Sequence, residues 1–252
     1  MSPYQGTFES AAELLARVME RSVASSVQAE KRVAVAFSGG VDSSVLAACA
    51  RRHTEVVACC AAAEGARDEE KATLAAEALG VKLETVKLTS GVVEAELGEM
   101  RLPFEPTVMD RSLWCLYSVV SRRAAEAGAE VILLGQLADE LFGGYAKYQV
   151  AMESGGEGAA QALMTRDVEE YAARGRVRDF DACARWLPPR FPFEAEEIVA
   201  LGLALPVSYK IRGGERKAVL RRAAVLVGVP DELANAPKKA AQYSSGIQKM
   251  LS

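Results

Sequence analysis

The stretch Ala34-Val35-Ala36-Phe37-Ser38-Gly39-Gly40-Val41-Asp42-Ser43-Ser44 decides the fold of this chain. Its first part, extended back to Arg32, is a short apolar run bounded by Ser38-Gly39-Gly40. That length with those flanks predicts a central parallel strand rather than a helix. Gly39 and Gly40 free the backbone to take positive φ and to approach a bound group closely, while Ser38, Ser43 and Ser44 offer hydroxyl donors. A helix then starts at Val41 or Ser43 and aims its N-terminal amides at the same point, which makes the turn a phosphate cradle. Asp42 would repel bound phosphates unless a cation stood between them, so it is a magnesium-ligand candidate. The plainer reading is a tight Gly-Gly turn with Asp42 as a first-turn helix charge. The Walker-type loop G-x-x-x-x-G-K-S/T does not occur.

Composition sets the bounds. The chain has 252 residues, half of them hydrophobic, enough for one α/β domain with a modest appendage. A net charge of −4 argues against a protein built to coat nucleic acid. There is no 18-residue apolar run and no basic-then-apolar leader, so a cytoplasmic protein without membrane partners is expected. Five cysteines (Cys49, Cys59, Cys60, Cys115, Cys183) form no C-x-x-C pair and read as reduced, buried thiols. The lone His53 lies just past a helix end, where it reads as a helix-end cation, and offers neither a metal cluster nor a Ser-His-Asp triad.

Along the chain, an amphipathic helix from Phe8 to about Glu30 packs on the core as an N-terminal element (residues 1–30). Strands follow at Glu55–Ala61 and Lys82–Leu88, with a helix at Asp68–Leu79 between them. In the Glu55–Ala61 strand, Cys59 and Cys60 must face opposite sides of the sheet. This βαβαβ order predicts a right-handed, doubly wound parallel sheet over residues 31–150. Helices at Ser90–Met100 and Met109–Ala127 lead to a fourth strand, Glu130–Leu134. That strand runs into Gly135-Gln136-Leu137-Ala138-Asp139-Glu140-Leu141-Phe142-Gly143-Gly144-Tyr145. In such a sheet the fourth strand lies beside the first, and ligands bind in the crevice at their C-terminal ends. Asp42 and Asp139 should then face each other across it, an arrangement two carboxylates tolerate only around a cation. Residues 153–158 (ESGGEG) predict a flexible stretch that separates the sheet from a helical C-terminal region, residues 151–252. From Pro206 onward nine basic residues stand against three acidic ones, which suits an anionic site; Arg221, Arg222 and Lys249 read as a solvated helix face.

These strings carry a family resemblance. SGGVDSS resembles the pyrophosphate loop of the ATP pyrophosphatases, the PP-loop enzymes that cleave ATP between its α and β phosphates. GQLADELFGGY resembles the GEGSDEVFGGY string of asparagine synthetases. Pro189-Arg190-Phe191-Pro192-Phe193 resembles their RVPFLD motif, with Glu194-Ala195 in place of Leu-Asp. Lys217 in K-x-x-L-R and Lys238 in PKKAAQYSSG resemble the phosphate-binding lysines of asparagine and β-lactam synthetases. The chain is thus similar to the synthetase domain of asparagine synthetases, from about Val33 to Gly246, without their glutaminase domain.

The resemblance implies an adenine nucleotide α-hydrolase-like fold of HUP type, with ATP and Mg2+ bound. It implies nucleotide contacts from Ala36, Phe37, Ser38, Gly39, Gly40, Asp42, Ser43, Ser44 and Gly135, with magnesium on Asp42 and Asp139. It assigns Lys238 to the transition state, with Lys239 as the neighbouring choice, and Lys217 to pyrophosphate. Gln136 takes the place of a family glutamate beside the amino-acid substrate; it can hydrogen-bond but cannot serve as a base. Glu64 and Asp68 are expected to shape the nucleotide wall, although Asp68 also reads as a plain N-cap. Glu140 is expected near the substrate. Arg190 either orients a substrate carboxylate or braces the two parts of the chain.

The implied activity is an AMP- and pyrophosphate-forming amide ligase acting on aspartate or a related acid. Its nitrogen would come from ammonia, an amine or a separate glutaminase; a homo-oligomer is left open. A PP-loop nucleotide- or tRNA-modifying enzyme and a non-catalytic ATP-binding module are the alternatives.

Overall fold

The computed structural model describes residues 3–63, 67–236 and 247–251. Five parallel strands form one sheet in the order β3-β2-β1-β4-β5, with β1 at Arg32–Ala36, β2 at Glu55–Ala63, β3 at Lys82–Leu88, β4 at Val131–Leu133 and β5 at Pro189–Arg190. The doubly wound sheet anticipated from βαβαβ is therefore present. Its strand order reverses between β1 and β4, as the crevice argument requires. The fifth strand was not foreseen: two residues, the first of them the second proline of Pro188-Pro189, carry no strand pattern, and β5 exists because it pairs with Ile132 and Leu133.

Both faces are covered, and alternation along the strands sorts the core. Val33 and Val35 of β1, Val56, Ala58 and Cys60 of β2, and Val131 and Leu133 of β4 point to one side. There they meet α1 (Phe8–Val27), α2 (Val41–Ala50), α3 (Arg67–Leu79) and α11 (Ala218–Leu226). Ala34, Val57, Cys59, Ala61 and Ile132 point to the other side, toward α4 (Ser90–Gly98), α5 (Val108–Glu126) and α8 (Arg176–Ala184). Cys59 and Cys60 thus lie on opposite faces, as the pleat dictates. All five cysteines are buried, and burial pushes the Cys59 and Cys115 thiols up to about 12.

Local signals account for the helix starts. Thr7 caps α1 by accepting from the Ser10 amide. Thr107 and Asp110 form a reciprocal capping box on α5. The buried stripe of Ala11, Leu15, Val18 and Met19 seats α1 on α11 and α2.

The flexible stretch expected at residues 153–158 is instead helical. Helix α7 runs from Ala146 to Glu170, and its glycines are absorbed by a single break at Gly156 (φ 75°, ψ −177°). A π-turn, Tyr171–Gly175, joins it to α8 without a gap. Glycine is costly in a helix, but buried Tyr148, Ala160 and Met164 hold the two halves of α7 down. After α9 (Glu196–Ala204) and α10 (Val207–Lys210), a small hairpin of β6 (Ile211–Arg212) and β7 (Glu215–Arg216) leads into α11, followed by α12 (Asp231–Ala234). Among the described residues no helix is long and apolar enough to cross a membrane.

Candidate active site

The loop after β1 is built as its glycines require. Gly39 has φ +65°, and a side chain there would bring a Cβ within 2.7 Å of the Lys71 carbonyl oxygen, so both conformation and clearance demand glycine. Gly40 caps α2, Ser43 Oγ donates to the Gly40 carbonyl, and the Ser44 amide closes the first helical bond to the same oxygen. The amides of Val41, Asp42 and Ser43 therefore lie in the first turn, before the helical ladder begins.

Several loop residues depart from expectation. Ser44 is 0% exposed and its hydroxyl is buried without a partner among the described residues, so its side chain is not presented to a ligand. The Ser43 hydroxyl is turned back on its own loop. The Phe37 ring belongs to the core, its amide bonded to the Cys59 carbonyl, and only its backbone flanks the crevice. Ala36, Ser38, Gly40 and Asp42 remain partly exposed there.

The segment after β4 comes to the same place. A Cβ on Gly135 would sit 3.1 Å from Asp42 Cβ, so the two motifs touch. Leu137, with φ 72°, turns the chain into α6 (Ala138–Phe142), which carries Asp139 in its first turn. Asp42 and Asp139 converge as predicted, and the group between them is Lys217. Its Nζ lies 2.6 Å from Asp42 Oδ1 and 2.8 Å from Asp139 Oδ1, and the residue is 1% exposed.

Lys217 precedes α11 with φ 62°. Among the described residues it and Leu137 are the non-glycine positions with positive φ, and both flank this site. Backbone strain of this kind concentrates where surrounding structure enforces a functional geometry. The enforcing contacts are Arg216 Nη1 to the Gly144 carbonyl (2.9 Å) and Arg221 Nε to the Arg216 carbonyl (2.8 Å). Arg221 is accordingly buried rather than solvated, and it also donates to the carbonyls of Ala234 and Ala236. Gly144 has no room for a side chain: a Cβ would fall 1.6 Å from Asp139 Oδ1 and 2.4 Å from Lys217 Cε.

Glu140 is oriented by Tyr145, whose hydroxyl donates to Oε1 at 2.9 Å. Burial, with the Asp139 charge adding to it, pushes its carboxyl up to about 7. Gln136 donates from Nε2 to Asp179 Oδ2 at 2.5 Å. Asp179 is held in turn by Arg178 (2.8 Å), Arg178 by Asp110 (3.1 Å), and Asp110 by Arg174 (2.8 Å). Burial raises the Asp179 carboxyl despite Arg178. For Asp110, burial also pulls upward, but hydrogen bonds from Arg174, Thr107 and Arg178 carry it down to about 2. This chain of alternating charge behind Gln136 was missed from sequence. The only available hint was a cluster of charges in a segment, Arg174–Asp181, that otherwise reads as an ordinary helix.

Arg190 is not gathered with these groups. Its guanidinium reaches Glu30 Oε1 at 3.4 Å, while its backbone lies level with Leu133 of β4 and its carbonyl accepts from the Leu134 amide. The contact with Glu30 is of the bracing kind, one of the two roles expected for this residue. Glu64, the Asp68 side chain, Lys238 and Lys239 lie outside the described residues.

A divalent ion fits the pair formed by Asp42 and Asp139, because their oxygens already converge on one cation. Among the described residues no third acidic, cysteine or histidine ligand joins them. That complement suits magnesium, which takes one or two carboxylates and fills its octahedron with phosphate oxygens and water.

Comparison with known proteins bears on the family of the chain. A family model described as asparagine synthase matches residues 14–186 and 152–251. The "Putative asparagine synthetase (glutamine-hydrolyzing) 1" of Methanocaldococcus jannaschii is 31% identical over 280 aligned residues, covering 97% of this chain and 51% of that protein. "Asparagine synthetase domain-containing protein 1" of Homo sapiens is 32% identical over 162 residues, covering 57% of this chain and 25% of that protein. The chain therefore spans about half the length of the first relative and about a quarter of the second. A solved structure of NMN synthetase from Francisella tularensis superposes with a TM-score of 0.49 at 11% identity, covering 94% of this chain and 78% of that one. With the family match running over both ordered motifs and nearly the whole sequence, the chain belongs to the asparagine synthase family.

Proposed function

We propose that this chain is an ATP-dependent amide ligase that adenylates a carboxylate, aspartate or a related acid, and passes the acyl group to ammonia or an amine. The observation that carries this reading is the convergence of Asp42 and Asp139 on a single cation above the glycine loop. A site for a magnesium-bound nucleotide tail needs that geometry, and a generic α/β crevice does not.

In this reading the backbone of Ser38–Gly40 and the first-turn amides of α2 bind the phosphates. Asp42 and Asp139 would hold magnesium, whose charge would supply electrostatic stabilisation of the phosphate oxygens. The substrate carboxylate attacks the α-phosphorus, the bond to the β-phosphate oxygen breaks, and pyrophosphate leaves. Ammonia then attacks the acyl carbon, the bond to the AMP oxygen breaks, and the nitrogen gives up a proton. Lys217 takes the pyrophosphate charge, and Lys238 is the group proposed to stabilise the pentacovalent phosphorus. Gln136, with its amide donating to Asp179, offers its carbonyl oxygen as an acceptor for a substrate donor. Nitrogen from a separate glutaminase is compatible with the scheme.

The buried thiols support this reading over sulfur-transfer chemistry on a nucleic acid. Cys59 and Cys115, at about 12, are not thiolates near neutral pH. The test is a panel of carboxylic acids assayed for AMP and pyrophosphate with and without ammonia. Acid-dependent release of both products supports the proposal. No release with any acid in the panel rejects it.

A further inference from the structure

Lys217 occupies the place where magnesium would be held, and that has a thermodynamic consequence. Its ammonium sits between Asp42 Oδ1 and Asp139 Oδ1 at 2.6 and 2.8 Å, within a closed setting. Gly144 packs against both Lys217 Cε and Asp139 Oδ1, and the left-handed backbone at Lys217 is held by Arg216 and Arg221. The lysine is therefore built into the acid pair, and the fold accepts backbone strain to put it there.

An ammonium and a divalent ion sharing these two oxygens would face each other at a few ångströms in a largely desolvated crevice, where like charges repel strongly. Two carboxylates against an ammonium leave one negative charge; adding a divalent ion without phosphate turns the cluster net positive. A bound di- or triphosphate changes the balance, because its oxygens give the ammonium another partner within reach of a flexible four-carbon stem.

We infer that Lys217 is a resident counter-cation that blocks the Asp42–Asp139 pair until a phosphate ligand draws it away, so that divalent-metal binding is conditional on bound phosphate. This rests on the magnesium and phosphate assignments proposed above. It adds that the metal does not pre-load, and that coupling between metal and phosphate runs through one side chain. Coupling is reciprocal, so the metal must tighten phosphate binding by the same factor.

The test uses the full chain free of nucleotide and Mn2+ as the probe, with free Mn2+ followed by electron paramagnetic resonance. Wild-type protein should take up Mn2+ only weakly, while Lys217→Met should bind one Mn2+ at least about tenfold more tightly, a coupling of ordinary allosteric size. Mn2+ should also raise the melting temperature of Lys217→Met and leave that of wild type nearly unchanged. Equal Mn2+ affinity in the two folded proteins overturns the inference. Should Lys217→Met fail to fold, the wild-type titration decides. Tight uptake without phosphate refutes the block, whereas uptake appearing only on addition of a non-hydrolysable ATP analogue, beyond what the analogue itself chelates, supports it. Failure here is distinguishable from failure of the ligase reading. A metal site unmasked by Lys217→Met with no acid yielding AMP would sink the ligase and leave the block standing, and the reverse result would do the opposite.

Discussion

Replacing Lys210 by methionine should stabilise the protein and reshape its pH dependence. Lys210 is 0% exposed, and its Nζ is met by Gln161 Oε1 at 3.2 Å and Met164 Sδ at 3.8 Å, in a pocket shared with Tyr148, Val207 and Ile211. Burial drives its ammonium down from the ordinary 10.5 to about 7, against the upward pull of Glu157. The unfolded chain therefore binds one more proton than the fold between those values, and stability contributed by this group rises with pH across that window. The cost is fully present below pH 7 and relieved above 10.5, and the gap is worth up to about 5 kcal/mol. Methionine has a similar shape and no charge, and losing the Gln161 hydrogen bond costs about 1 kcal/mol. Lys210→Met should thus gain roughly 3–4 kcal/mol at pH 6, shrinking toward zero near pH 10.5. Urea denaturation of both proteins at half-unit intervals from pH 6 to 10.5 reads this difference directly. Titration of the buried thiols and tyrosines is common to both and cancels. A variant-minus-wild-type difference that stays flat across that range, or a less stable variant at pH 6, would refute the argument.

Other outcomes follow from the same geometry. Gly144→Ala should reduce acid-dependent pyrophosphate release at least about a hundredfold while circular dichroism stays native-like, because the new methyl must displace Asp139 or Lys217; near-normal turnover would show that the acid pair tolerates displacement. Gly39→Ala must force a left-handed alanine against the Lys71 carbonyl, and a thermal melt should register a loss of about 1–3 kcal/mol. Arg178→Met strands the Asp179 carboxylate in the interior and weakens the hold on Asp110, for a loss of about 3–5 kcal/mol in denaturant titration. Adding Asp179→Asn to that variant should recover part of the loss, and no recovery would mean that Asp179 is not the stranded charge.

What the sequence determined by itself was the sheet and the glycine turn that joins its first strand to a helix. Continuous apolar runs at β1, β2 and β4, buried on both faces, glycines where φ must turn positive, and two motifs at strand ends are local signals, and local sterics enforce them wherever the chain ends up. From these, the strand order around β1 and the meeting of Asp42 with Asp139 could be anticipated. Other features were decided only in three dimensions. Helix persists on both sides of the break at Gly156, through Gly155 and Gly158, because tertiary packing outweighs propensity, and two residues become a strand because a neighbouring edge is free to pair. The Gln136–Asp179–Arg178–Asp110–Arg174 chain joins residues far apart in sequence, and burial, which sets the energy of every link in it, has no one-dimensional signature. Lys217 stood out in the sequence by the resemblance of its string to those of phosphate-binding lysines, but its place between two aspartates was not legible there. That position depends on a strained backbone held by Arg216 and Arg221 and on a side-chain-free Gly144, and only the folded chain brings these together.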